Sequence, residues 1–258
     1  MTKYWEFIKI EFQQGMQYRG AALAKMGFYG LVLFIFSRLW KVVAIKTTLS
    51  MPAKDMLWYL AMTELIVLSF PLIHLEIEED VRTGNLAYFL TKPTSYMWSR
   101  YARGLGSVFS KLLFLIFAGL FFAYLFSGGF PEKPLGLLLF LPLLIISIAV
   151  YLLFQMSIGV SSFWIQDCSP VYWVWQKMSF ILGGMILPLD IYPSWLKSIA
   201  MNTPFASLLY EPVKAALTLD VNLAFGVAFK LFLWGLLAIF LLSLIYKKAC
   251  KQLVLNGG

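Results

Sequence analysis

Long apolar stretches dominate this chain and decide what it can fold into. A helix needs roughly 20 residues to cross a hydrocarbon core of about 30 Å. Six stretches come close to that length, at residues 22–40, 57–75, 105–126, 135–161, 171–189 and 223–246. The sequence therefore predicts an all-α membrane protein with six transmembrane helices.

Composition excludes the main alternatives to a membrane protein. Hydrophobic residues make up 60% of the chain and charged residues 13%, against about 45–50% and 25% in soluble domains. The two cysteines, Cys168 and Cys250, are too few for a disulfide framework. The chain shows no repeat or flexible linker, and its start lacks the apolar core of a cleavable signal peptide. We therefore expect one transmembrane domain over residues 1–258, surrounded by membrane lipids.

The basic residues indicate how the chain is oriented. A net charge of +8 would suggest nucleic acid as the partner of a soluble protein. Here the bases lie mostly between apolar stretches, so we expect no nucleic-acid partner. With both termini in the cytoplasm, the inner segments hold Lys3, Lys9, Arg19, Arg82, Lys92, Arg100, Arg103, Lys247, Lys248 and Lys251, and the outer segments hold Lys41, Lys46, Lys54, Lys133, Lys197 and Lys214. This bias predicts a multi-pass protein with both termini cytoplasmic.

The first twenty residues are typical of an amphipathic helix. At 100° per residue one apolar arc forms, and Phe7 lies outside it. The arc contains Tyr4, Trp5, Ile8, Phe12 and Met16. Such a segment predicts an interfacial helix over residues 1–20 that lies in the membrane plane. The alternative is a frayed cytoplasmic tail.

The loop over residues 76–103 combines charges with an apolar centre. It begins with acids and ends with bases, Gly84 and Asn85 indicate a turn, and Pro93 interrupts any helix. Apolar side chains in a polar surround are what the groove of a protein partner binds. The loop therefore predicts an exposed cytoplasmic helix that binds a partner. The alternative is a loop that packs on its own helices.

A second informative region covers residues 190–217. Four prolines divide it and its surroundings into pieces such as 194–201 and 204–217. Pieces of this length predict short re-entrant or interfacial helices on the outer side, before the last span. The alternative is an external amphipathic loop.

Together these two regions resemble the permeases of type 2 ABC transporters, a six-span family in bacterial export systems. The resemblance lies in E-x-E-E-D-V-R-T-G-N-L-x-x-x-L-x-K-P at 76–93 and P-L-x-x-x-P-x-W-L at 188–196. It continues with N-T-P-F at 202–205 and Y-x-P at 210–212.

The resemblance implies a coupling helix that docks in a groove of a separate ABC ATPase, present as two subunits or domains. That helix should include Asp80, Val81, Arg82, Thr83, Gly84, Asn85, Leu86, Tyr88 and Leu90, with Arg82, Asn85, Leu86 and Tyr88 as contacts. A second permease, identical or similar, should enclose the cargo path. The implied function is ATP-driven export of a lipophilic or amphipathic cargo across a bacterial inner membrane.

The chain contains no G-x-x-x-x-G-K-[ST] motif. We therefore expect that it is not an enzyme, has no catalytic residues and binds no cofactor, while its partner binds ATP and Mg. An ATPase-independent channel or scaffold is the alternative, and a membrane-embedded lipid-modifying enzyme is a weaker one.

Ionisable residues within the apolar stretches are costly unless they face an interior or a cavity. Glu64 is the deepest, so we place it on the cargo path or in an ion pair with Lys177. Lys25, Arg38, Lys111 and Lys230 lie near span ends and can snorkel. His74, Glu76 and Glu78 do not share one helix face, so no metal site is expected.

Overall fold

The computed structural model describes residues 2–46, 51–90 and 94–256, and within them helices and one 3-10 turn at Leu189–Ile191 are the only regular elements. The all-α prediction is therefore confirmed for this part of the chain. The helices are α1 Thr2–Gln17, α2 Arg19–Lys46, α3 Ala53–Ser69, α4 Ile73–Arg82, α5 Asn85–Leu90, α6 Tyr96–Ser127, α7 Gly136–Val160, α8 Ser162–Ile165, α9 Ser169–Leu182, α10 Ser194–Met201, α11 Pro204–Leu208, α12 Tyr210–Thr218 and α13 Val221–Asn256.

Five segments of the described chain are long and apolar enough to cross a membrane. They are Arg19–Val43, Ala53–Arg82, Tyr96–Ser127, Gly136–Ile165 and Val221–Lys251, and they correspond to the first four predicted stretches and the last. The second segment joins α3 to α4 through a break at Pro71, because Phe70 before the proline is extended with ψ 127°.

The predicted stretch at 171–189 overlaps the shorter helix α9, which begins two residues earlier at Ser169. Its 14 residues rise about 21 Å. Before its first turn, the Cys168 N–H donates a 2.9 Å hydrogen bond to Glu78 on α4. Beyond its last turn, the Tyr59 hydroxyl on α3 donates to the Gly184 carbonyl. The residues that flank α9 therefore contact α4 at one end of the helix and α3 at the other.

The helices form a bundle with two distinct ends. Gly159, near the end of α7, packs on His74 of α4, whereas Gly136, at the start of α7, packs on Ala216 of α12. We call these the α4 end and the α12 end. Helix α1 and the last turns of α13 lie at the α4 end, since Tyr4 accepts a hydrogen bond from Ser95 and the Tyr246 ring stacks on Tyr96.

Helix α1 covers Thr2–Gln17 of the predicted residues 1–20, and the face that packs on α6 includes a residue outside the predicted apolar arc. It packs so closely on α6 that a methyl group on Gly106 would overlap the Ile8 carbonyl. Phe7 lies on this packed face, with the Arg103 guanidinium 5.3 Å from its ring centre, while Trp5 is exposed. The exposure of Trp5 leaves it available to the membrane surface, so the interfacial position of α1 stays a prediction.

The region before the last span contains three short helices at the α12 end. Helix α10 has the bounds predicted for the first piece. The second predicted piece, 204–217, is interrupted at Leu209 and forms α11 and α12. Both are largely buried, and the Glu211 carboxylate of α12 pairs with Lys230 of α13 at 2.5 Å.

Candidate functional site

The predicted coupling helix is two helices joined by a turn. Helix α4 ends at Arg82, and the Thr83 N–H and hydroxyl both donate to the Glu79 carbonyl, at 2.9 and 2.7 Å. Gly84 adopts a left-handed φ of 72°, a conformation that costs glycine least. A single helix over residues 80–90 is therefore wrong. We call residues 73–90 the α4–α5 segment.

A buried ion pair fixes this segment to α6. The Arg100 guanidinium donates to the Asp80 carboxylate, and their side chains are 11% and 8% exposed. Asp80 also accepts a 2.5 Å hydrogen bond from the Tyr96 hydroxyl, and Arg100 reaches Glu76 at 3.0 Å. Asp80 thus points into the protein and holds the segment in place against α6.

Aromatic and aliphatic packing holds α5 over the start of α6. The Arg100 guanidinium lies 5.4 Å from the ring centre of Phe89 and 5.6 Å from that of Tyr96. Leu86 is 1% exposed, so the expectation that Leu86 contacts a partner directly is corrected: it anchors α5 to its own chain. Sequence reasoning missed the anchoring roles of Arg100, Tyr96 and Phe89, because they arise only when α4 folds back on α6.

The accessible surface of the segment is centred on its turn. Tyr88 is 65% exposed, and the Arg82 side chain, 67% exposed, pairs with Glu79 at 2.5 Å. Val81 is partly buried. We call the exposed residues of this part of the segment the exposed turn; they are Arg82, Thr83, Gly84, Asn85 and Tyr88. The Leu90 side chain lies outside the described residues.

Two further contacts join α4 to other long elements of the bundle. The buried His74 ring shares a 2.7 Å hydrogen bond with Gln155 of α7 and stacks on Tyr172 of α9 at 3.9 Å. Glu78 accepts the Cys168 N–H ahead of α9. His74 is thus a packed core residue, and over the described ranges no group of three or more potential metal ligands occurs.

Glu64 lies buried on α3 and is 6% exposed. In the described part of the chain no lysine or arginine lies within 4.0 Å of its carboxylate. The suggested partner, Lys177 on α9, is exposed and lies 5.6 Å from the ring centre of Phe180. The ion pair between Glu64 and Lys177 is therefore not formed in this structure.

Comparison with protein families gives one match. Residues 40–257 match a family model described as an ABC-2 family transporter protein. The matched range contains the whole α4–α5 segment, α9 and the three short helices before α13. The comparison with curated proteins gave no match.

Proposed function

The chain belongs to the ABC-2 transporter family as a membrane permease of an ABC transporter, and on that premise we propose that an ABC ATPase docks on its exposed turn to drive export. The single observation that carries this proposal is that the turn is exposed while its base is locked by the buried pair of Asp80 and Arg100. A docking surface must keep a fixed geometry to transmit force. The ion pair between Asp80 and Arg100 attaches the exposed turn to the bundle.

The contacts of α4 explain how movement at the turn would reach the membrane domain. Arg100 joins α4 to α6, Gln155 joins it to α7, and the Glu78 carboxylate holds the start of α9. A displacement of the segment would therefore act on three membrane helices at once. ATP and Mg would be bound by the partner, since this family supplies the membrane component of the transporter.

Docking would use an aromatic anchor within a polar rim. Tyr88 offers a large exposed ring beside Arg82 and Asn85, and tyrosine and arginine are enriched among residues that dominate binding energy. We propose these three residues as ATPase contacts and assign Leu86 to the support beneath them.

We further propose that α9 is the fifth of six crossings, so that both termini lie in the cytoplasm of a bacterium and α1 lies at the inner surface of the inner membrane. The support is that α9 meets Glu78 at one end and is followed by a contact to Tyr59 near the other. A second permease would enclose the path for a lipophilic or amphipathic cargo, and we retain Glu64 as a residue of that path.

The test is co-purification of the detergent-extracted chain with an ABC ATPase. Tyr88→Ala should weaken association by about 30-fold, the effect of removing a hot-spot residue. Trp195→Ala is the matched control, because Trp195 is also 65% exposed but lies on α10 at the other end. No ATPase association with the native chain, or equal loss in both variants, would contradict the proposal and favour a channel or scaffold.

A further inference from the structure

An open cleft lies between α2, α3, α7 and α9, with a volume of about 230 Å³. Its walls combine apolar side chains such as Phe70 and Phe180 with the polar groups of Lys25, Tyr172, Gln176 and Ser179. Leu72 at its edge is 52% exposed, so the cleft opens sideways toward the surroundings of the bundle.

The charge of this cleft is positive and unbalanced. Lys25 is the charged residue among its lining side chains, and in the described ranges no carboxylate lies within 4.0 Å of its ammonium group. Lys111 lies near enough to repel Lys25 electrostatically, and the nearby Glu76 is already bonded to Arg100. Lys177 adds a further cation next to the cleft, 5.6 Å from the ring centre of Phe180, which lines it.

A half-buried lysine in a membrane-spanning helix is costly unless something compensates its charge. Lys25 follows the start of α2 by six residues, or about 9 Å, and its side chain lines the cleft. An anion in the cleft would supply that compensation. The apolar walls would in turn favour a ligand that carries hydrocarbon next to its charged group.

We propose that this cleft binds the anionic head of an amphiphile that enters from the bilayer, and that such amphiphiles are the cargo class of the permease; the cargo assignment rests on the proposed function. The volume is below the 300–1,000 Å³ of pockets that enclose a drug-sized ligand. The cleft therefore holds the head and the first part of a chain, while the remaining hydrocarbon stays among the lipids beyond Leu72.

The binding test uses the full chain in phosphatidylcholine vesicles with spin-labelled phosphatidylglycerol or spin-labelled phosphatidylcholine as the probe. The native chain should immobilise phosphatidylglycerol preferentially. Lys25→Gln should reduce that preference by about fivefold, the effect of one basic residue on an anionic lipid. Lys25→Arg should keep it, which guards against a folding defect, and Lys41→Gln is the matched control on an exposed part of α2.

Three results would overturn the binding proposal. The first is equal immobilisation of the two lipids by the native chain, and the second is an equal loss in Lys25→Gln and Lys41→Gln. The third is displacement of phosphatidylglycerol by millimolar inorganic phosphate, which would identify a site for free anions.

A second measurement tests the cargo assignment in the assembled transporter. Phosphatidylglycerol should stimulate ATP hydrolysis, and Lys25→Gln should lose the stimulation; retained binding without stimulation would overturn the assignment. The lipid-binding measurement omits the ATPase. A negative result there would therefore overturn the lipid proposal but not the proposed docking of the ATPase through Tyr88. Loss of ATPase association with intact lipid preference would instead mark a failure of the proposed function.

Discussion

Arg100 of α6 and Asp80 of α4 form a hydrogen-bonded ion pair that is almost completely shielded from the surroundings. Both groups are also bonded to other partners, Asp80 to the Tyr96 hydroxyl and Arg100 to Glu76. A buried pair whose remaining hydrogen-bonding capacity is satisfied fixes geometry, and loss of one member leaves a charge without compensation. The angle between the α4–α5 segment and α6 therefore depends on this contact.

Arg100→Ala should reduce the free energy of unfolding by about 3–5 kcal/mol, because it leaves the buried Asp80 carboxylate without a positive partner. Thermal unfolding of the purified chain in detergent measures the loss. Arg82→Ala is the control, since its pair with Glu79 is exposed and such pairs contribute about 0–1 kcal/mol. Equal melting temperatures for the two variants would refute the anchoring role of Arg100.

Leu86→Ala and Tyr88→Ala should have different effects, because Leu86 stabilises the position of α5 whereas Tyr88 is the proposed contact with the ATPase. Leu86 is buried, and truncation of a buried leucine costs about 2–5 kcal/mol. Tyr88→Ala should leave the melting temperature nearly unchanged and weaken ATPase association. Thermal unfolding and pull-down of the same preparations test this, and the reverse pattern would show that Leu86 is the contact and Tyr88 the support.

Gly136→Ala should destabilise the α12 end of the bundle. A methyl group at Gly136 would overlap the backbone of Ala216, so α7 and α12 would have to separate, at a cost of about 1–3 kcal/mol or more. Gly226→Ala in α13 is the matched control, because open space surrounds that position and alanine favours a helix over glycine. Unfolding curves that coincide for the two variants would contradict the close contact.

Asp190 should contribute stability that disappears in strong acid. Burial tends to raise the pKa of Asp190, but hydrogen bonds from Lys197 and Lys214 outweigh it and lower the pKa from 3.8 to about 2. A carboxyl with a depressed pKa stabilises the fold above its unfolded-state pKa, and the contribution is lost as the pH falls through the folded-state value.

Asp190→Asn should therefore melt below the native chain at pH 7, by an amount that stays constant to about pH 5 and shrinks between about pH 4 and 2. Unfolding followed by fluorescence over this range measures the difference. Trp195→Ala, an exposed change at the same end that removes no ionisable group, should show no such dependence. A difference in melting temperature between the native chain and Asp190→Asn that grows toward low pH would contradict the lowered pKa of Asp190.

Local signals predicted much of the fold. The bounds of α10 follow from Pro193 before it and Pro204 after it, because proline restricts the residue that precedes it and fits the first turn of a helix. The turn at Gly84 was likewise visible as a glycine next to a polar residue.

The break at Leu209 has a local cause, because Pro212 lacks the N–H that would bond the Leu208 carbonyl in a continuous helix. Other features depend on contacts that no local pattern contains. The partner of Asp80 lies 20 residues along the chain, beyond the turn and a second helix. Burial of Leu86 depends in the same way on how α5 folds over α6, so its apolar character alone suggested an exposed anchor.

As the proposed fifth crossing, the short helix α9 would also act on the bilayer. Its rise of about 21 Å is about 9 Å less than a typical hydrocarbon core, and lipids beside a short span adapt by thinning. The exposed side chains of Trp173 and Val174 place this face of α9 toward such surroundings. If α9 crosses the membrane as proposed, the energetic barrier to a charged headgroup would be lower beside α9 than around the longer helices, and the thinned bilayer there would favour the passage of the proposed amphiphile.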